Sequence, residues 1–491
     1  MIMTLWRFSM SDVSKLAPQE VFRYFKEISD VPRSSSHNEK ISAYLVNFAK
    51  EHELEYYQDE SGNVIIWKDG TPGYENSDMV MIQGHMDIVA EKTEDSTHDF
   101  QNDPLELVID GDFLTANKTT LGADDGAAIA MGLALLDSTD IPHPPLEFIA
   151  TVDEEIGMLG AYALDGSKIR SRKVINIDSE EEGIITVGCA GAVDIFTSFP
   201  ADKKLVNGVK YKYVVDGLLA GHSGLDIHQE RANAGQIVAR LFLDAREKAE
   251  LNIVSINGGR ATNVILGKVD GEVIVATSDV KAFEESIAAS TEEIKAEYRT
   301  SDPGITVSIE AVGEASEEAV DTVCQDNFFK FLVACPTGVE HYSVELKGLV
   351  ETSHSIGVVK LEDGRLITKS MSRSSVNSRN RLLARKIGII AEALGAEVEH
   401  GSSYGAWEFN NKSDLLDVCI NAYKEQYGEE PVVSAMHAGI ECGIWAEKVG
   451  KVDAVSIGPD MTGVHSVNEE LSIPSTERTW DYLKLILSHC K

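Results

Sequence analysis

The chain has 491 residues, 43% hydrophobic and 25% charged, and a formal net charge of −36. That length exceeds what a single hydrophobic core usually organises, so more than one domain is expected. The acidity argues against nucleic-acid and anionic-membrane partners, since both require clustered Lys and Arg. It fits a self-repelling surface in a cytoplasmic protein. No apolar run approaches the ~20 residues of a membrane-spanning helix. Residues 1–9 lack the apolar core and small-residue cleavage site of a signal peptide. The helical pattern begins after Met10, which marks that residue as an alternative translation start. Six scattered cysteines with no Cys-x-x-Cys pair read as buried free thiols in a reducing compartment.

In chain order, Leu16–Ile28 and Glu39–His52 have helical periodicity. Asn63–Trp67 and Met79–Gln83 read as strands. Asp125–Asp137 reads as a helix with Asp124 at its N-cap. Leu146–Val152 and Lys173–Ile177 are further buried strands. The alternation predicts an α/β domain, a sheet covered by helices. From about Gly191 to His400 the texture changes. Strands at Tyr211–Gly217 and Asn263–Asp270 surround a helix at Ala232–Lys248. A second set follows at Ser355–Leu361, Leu366–Ser370 and Ser378–Leu394. This predicts an inserted α+β lid domain of two similar, ferredoxin-like halves. The first domain then resumes, with a helix at Ser413–Tyr427 and a strand at Ala454–Ile457. The expected organisation is therefore 10–190 and 401–491 for the first domain, and 191–400 for the insert.

Chemistry-bearing residues cluster at strand exits. His85 and Asp87 follow Met79–Gln83, Glu154 and Glu155 follow Leu146–Val152, and Asp178 follows Lys173–Ile177. His465 lies a short loop beyond Ala454–Ile457. Ligands of α/β sheets gather at the carboxyl ends of strands. Singly, each residue has an ordinary explanation: a structural histidine, a helix cap, a solvated acidic turn. Jointly, two histidines, a shared aspartate and two further carboxylates describe a site for two divalent ions about 3.5–4 Å apart. One ion is assigned to His85, Asp124 and Asp178, the other to Asp124, Glu155 and His465. Zinc leads the choice of metal, with cobalt and manganese compatible with the same ligands. Asp87 is expected to orient His85 through its second ring nitrogen. The neighbour of the acidic ligand would handle the proton of water, but spacing alone does not order the roles within Glu154-Glu155.

The motifs His85-Met86-Asp87, Gly122-Ala123-Asp124-Asp125-Gly126, Asp153-Glu154-Glu155-Ile156-Gly157, Asp178 and His465 resemble those of the di-zinc aminopeptidase, carboxypeptidase G, aminoacylase and peptidase T family. The likeness runs from about Met10 to the C-terminus. Gly221-His222-Ser223-Gly224, Ala261-Thr262-Asn263, Ser372-Arg373-Ser374-Ser375 and His437-Ala438-Gly439-Ile440-Glu441-Cys442-Gly443 resemble the dipeptidase branch that acts on Xaa-His peptides. The resemblance implies a di-zinc aminopeptidase-like catalytic domain with a mixed sheet. It implies that Asp124 bridges the metals, that Glu154 is the general base and that Glu155 is a ligand. It further implies that His222 stabilises the oxyanion and that Asn263, Arg373 and Gly439 bind substrate. Many relatives complete the site from a dimer partner. The insert here, residues 191–400, is long enough to supply those groups within one chain, although a homodimer stays open.

The expected activity is metal-dependent hydrolysis of small peptides, Xaa-His dipeptides including β-alanyl-histidine. The alternatives are an N-acyl amino acid amidase or a broader di- or tripeptidase on the same site. A metal-free binding protein on the same fold would have lost a ligand or the base, and none is missing.

Overall fold

The computed structural model describes residues 12–491, so the alternative start at Met10 lies outside the described residues. Its contacts divide the chain into two compact units. The first comprises residues up to Gly188, then Phe409–Ala435 and Ile440–Lys491; the second comprises Cys189–Glu408 and Met436–Gly439. The return to the first unit thus falls later than residue 401. The reason is a strand at Glu397–Tyr404 that still pairs with Gly191–Pro200 of the insert.

The first unit is built on an eight-stranded sheet. Its order is Glu55–Gln58, Val64–Lys68, Leu146–Thr151, Val80–His85, Lys173–Asn176, Asp453–Ser456, Ile184–Cys189 and Val432–Met436. The four strands from Leu146–Thr151 to Asp453–Ser456 are parallel and adjacent. Val80–His85 and Leu146–Thr151 are buried at every position. Such strands need cover on both faces, which explains their mostly apolar character in sequence. The helices Gln19–Ser29 and Ala123–Asp137 pack together, and Ala123–Asp137 also packs on Val80–His85. A small four-stranded sheet places Met461–Thr462 and Glu470–Ser472 beside Phe113–Ala116 and Leu107–Asp110.

The second unit carries one nine-stranded sheet, and its path resolves the two expected halves. In the first half the strands Lys203–Asp216, Leu251–Gly258, Val269–Val275 and Thr306–Val320 lie in the spatial order fourth, first, third, second. Their helices are Ala234–Arg246 and Val280–Glu297. In the second half Gly191–Pro200, Val350–Glu362, Arg365–Ser374 and Glu397–Tyr404 repeat that order, with helices Thr322–Ala334 and Asn377–Ala393. The second strands of the halves pair antiparallel and join them into one sheet. The first half is inserted after the first strand of the second. That nesting hid the repeat in the sequence, because one half is split by more than a hundred residues. The stretch expected as one strand at Asn263–Asp270 is broken. Val264–Ile265 pairs with Gly221–His222, and the sheet strand begins at Val269. The core is aromatic, with Phe199, Phe242, Phe283, Phe328 and Phe329 all buried.

Candidate metal centre

The parallel strands end together. Gln83 is in register with both Ile149 and Asn176, and Ser456 with Asn176. The residues just past these ends therefore converge. His85 is 1% exposed, and its Nε2 lies 2.9 Å from Asp124 Oδ1 and 3.6 Å from Asp178 Oδ1. His465 Nε2 lies 3.0 Å from Asp124 Oδ2 and 2.9 Å from Glu155 Oε2. Asp124 thus turns one oxygen to each imidazole. His85, Asp124 and Glu155 offer ligand atoms within 4.8 Å of one another, and so do His85, Asp125 and Asp178.

Asp124 does not cap the helix. Its backbone is non-helical, no side-chain cap forms, and Gly122 occupies the N-cap position. The carboxylate is committed to the imidazoles instead. Asp125, to which the sequence assigns no role, is wholly buried; its Oδ2 accepts the His85 backbone N–H, and its Oδ1 has no hydrogen-bonding partner among the described residues. Both oxygen types of Asp87, backbone and carboxylate, face the second ring nitrogen of His85. His85 Nδ1 lies 3.1 Å from the Asp87 backbone carbonyl, nearer than the carboxylate at 3.5 Å. The Asp87 carboxylate accepts from the backbone N–H groups of Glu154 at 3.0 Å and Glu155 at 3.4 Å, and from Ser35 Oγ at 2.8 Å. It anchors the turn that carries both glutamates.

Electrostatics explain what the cluster needs. Burial raises Asp178 to about 6 and lifts Glu154 well above the usual carboxylate range. Hydrogen bonds donated to the Asp124 and Glu155 carboxylates push His465 up to about 11. Burial alone would lower His85, but its bonds to Asp124, Asp178 and Asp87 overcome this and hold it well above its ordinary value. So many carboxylates cannot share a buried space without compensating positive charge. Divalent ions fit the residues present. The donors are imidazoles and carboxylates without a thiolate, and Glu155 Oε1 is buried with no hydrogen-bonding partner among the described residues.

Sequence reasoning missed a buried polar layer beneath this cluster. The Glu441 carboxylate accepts from Thr151 Oγ1 at 2.7 Å and from Gln83 Nε2, while Gln83 Oε1 accepts from Asn176 Nδ2 at 2.8 Å. These side chains cross-link three strands just before their ends. Their inward orientation follows from strand register, and Gln83 and Asn176 are polar residues inside otherwise apolar strands. That was the available signal.

In the second unit, the remaining site residues also assemble. Gly221–His222 pairs with Val264–Ile265, and the Ser223 N–H donates to the Asn263 carbonyl at 2.9 Å. Arg373 is 3% exposed and reaches Tyr404 Oη at 2.9 Å and Ser223 Oγ at 3.4 Å. His222 Nδ1 accepts backbone N–H groups of Gly224 and Leu225 at 3.3 and 3.0 Å. Burial, then the Arg373 charge, lowers His222 to about 4. The ring is therefore neutral at pH 7 with its proton on Nε2, 3.3 Å from Arg373 Nη2. Two donors side by side lack an acceptor between them and suit an anionic oxygen. Gly439 was expected to approach a ligand; a Cβ there would meet the Tyr404 ring at 2.6 Å, so the glycine makes room for that ring.

The sequence pattern of the peptidase family M20/M25/M40 matches residues 81–489. The chain belongs to that family. It is a metallopeptidase of the dipeptidase type, and the family's activity depends on metal. It is 33% identical over 480 residues to the cytosol non-specific dipeptidase of Escherichia coli, covering 97% of this chain and 99% of that protein. It superposes on the aminoacylhistidine dipeptidase of Vibrio alginolyticus with a TM-score of 0.89 and 34% identity, over 98% of both chains. An aminopeptidase PepT from Bacillus cereus shares the fold, at a TM-score of 0.57 and 16% identity over 97% of this chain and 99% of that one. Among the described residues, no helix of this M20 peptidase is long and apolar enough to cross a membrane.

Proposed function

We propose that this peptidase is a cytosolic two-metal dipeptidase that hydrolyses Xaa-His dipeptides, β-alanyl-histidine among them. The observation that carries the two-metal reading is Asp124, with one oxygen 2.9 Å from His85 and the other 3.0 Å from His465. The Xaa-His preference draws on the likeness to the Vibrio enzyme, and the location on the name of the Escherichia coli relative.

His85, Asp124 and Asp178 would hold one ion and Asp124, Glu155 and His465 the other, with zinc as the first choice over cobalt or manganese. When bound, the ions would polarise the scissile carbonyl and acidify a bound water. Glu154 takes a proton from the attacking water and returns it to the leaving amine nitrogen. A carboxyl raised by burial is suited to both steps, since it gives the proton back readily. Asp87 keeps Glu154 and Glu155 in place through their backbone N–H groups. The neutral His222 donates Nε2–H to the oxyanion. Arg373 pairs with the free carboxylate of the dipeptide, and Asn263 and Gly439 complete the substrate-binding set.

The test is a substrate panel on purified protein. Faster hydrolysis of β-alanyl-histidine and other Xaa-His dipeptides than of N-acetyl amino acids or tripeptides is expected. The reverse order would assign the site to an amidase or a broader peptidase.

A further inference from the structure

Asp124 can bridge only if the loop carrying it is fixed, and two buried ions of opposite charge grip that loop from either side. Glu469 is 2% exposed. Its Oε2 accepts the backbone N–H groups of Leu121 and Gly122 at 2.8 and 2.9 Å; its Oε1 accepts those of Ala123 and Asp124 at 2.7 and 3.4 Å. Arg33, also 2% exposed, donates from Nη2 to the Gly122 carbonyl at 2.6 Å and from Nη1 to the Met86 carbonyl at 3.2 Å.

The glycines of Gly122-Ala123-Asp124-Asp125-Gly126 are shaped around this guanidinium. A Cβ on Gly126 would lie 2.5 Å from Arg33 Nη2. One on Gly122, whose φ is +69°, would lie 2.9 Å from the same atom and 2.5 Å from Ile88 Cγ2. Met86 is next to His85, and Glu469 lies four residues past His465, at the edge of the strand Glu470–Ser472. The pair therefore ties together the segments that present His85, Asp124 and His465.

We infer that Arg33 and Glu469 are positioning residues that hold the Asp124 carboxylate in its bridging place; this rests on the two-metal reading above. Neither residue is a ligand. Both act on the backbone of Leu121–Asp124, Glu469 on its N–H groups and Arg33 on the Gly122 carbonyl. The guanidinium also sits among the charges of Glu469, Asp87, Asp125 and Asp124, where it offsets buried negative charge. Burial lowers it to about 10, so it remains protonated at neutral pH. Groups that orient metal ligands typically cost about 10–100-fold in metal affinity when removed.

The experiment is a zinc titration of the full chain against a chromophoric chelator, with the absorption spectrum of the cobalt-loaded protein alongside. Arg33→Met and Glu469→Gln should each weaken both ions together, by about 10–100-fold, and should alter the cobalt spectrum while far-UV circular dichroism stays native. Arg33→Lys keeps the charge and one donor and should fall between wild type and Arg33→Met. If Arg33→Met fails to fold, Arg33→Lys and Glu469→Gln decide. Folded variants that bind two ions with wild-type affinity and an unchanged cobalt spectrum overturn the inference. Weakening of one ion alone overturns it too, because a displaced bridge must affect both. A wild type that binds no ion would instead remove the two-metal reading on which the inference stands.

Discussion

Two polar clusters, one in each unit, shift the same side chain in opposite directions. In the first unit the surrounding carboxylates raise His85 and His465 above their ordinary value. In the second unit His222 falls to about 4 and His437 to about 3, burial being the leading cause and the Arg373 charge the next. The first cluster is an excess of acceptors and calls for cations. The second is an excess of donors, Arg373 and the neutral imidazole, and calls for an anion. A pair of divalent ions suits the first and a carboxylate suits the second.

The sharpest way to break this comparison is within the acceptor cluster. Glu154→Gln should keep two bound metals and lose turnover by about 10²–10⁴-fold, the usual contribution of a general acid–base. Metal analysis with single-substrate kinetics checks it, and loss of an ion would make Glu154 a ligand. Next, Asp124→Ala should lose both ions, while Asp178→Ala should lose one. Calorimetric titration separates these, since Asp124 faces both imidazoles and Asp178 only His85. Equal loss of a single ion in both variants would deny the bridge.

The donor cluster is tested through its anion. Arg373→Ala should raise KM for dipeptides by about 10–100-fold, as expected for a charge-assisted pair worth roughly 1.5–3 kcal/mol. The same peptides amidated at the C-terminus should be poor for the wild type and worsen little in the variant. An equal effect on both would make Arg373 a structural residue.

The smallest expected effect concerns stability. Burial lowers His354 of the second unit to about 4, against an ordinary value of 6.5. Above pH 6.5 neither state binds the proton and the full stability is present. As pH falls from 6.5 toward 4 the unfolded chain takes a proton that the folded chain refuses, so stability is lost, at about 1.4 kcal/mol per pKa unit. Thermal unfolding across this window should show a shallower decline for His354→Leu than for wild type. Proton competition at the metal cluster is common to both proteins and cancels in the comparison. A slope unchanged by the substitution would rule this group out.

The sequence showed the parallel-strand exits because His85, Glu154, Glu155 and Asp178 each follow a short apolar run, a local signal. It did not show Arg33, Glu469 or Glu441, whose partners lie 89, 348 and 358 residues away in the chain. Nothing local distinguishes Arg33 from a surface arginine. The helices Val280–Glu297 and Thr322–Ala334 were also missed in the reading, along with the nesting of the two halves. Asp124 looked like a helix cap for the same reason that it suits the proposed bridge, since a short acidic side chain before a helix accepts whatever donor is nearest.

The most direct test of the account is metal content and dipeptidase activity measured on one preparation. The account predicts two divalent ions per chain, loss of β-alanyl-histidine hydrolysis when a chelator removes them, and recovery when zinc, cobalt or manganese is restored. Full hydrolysis by the stripped protein would contradict it.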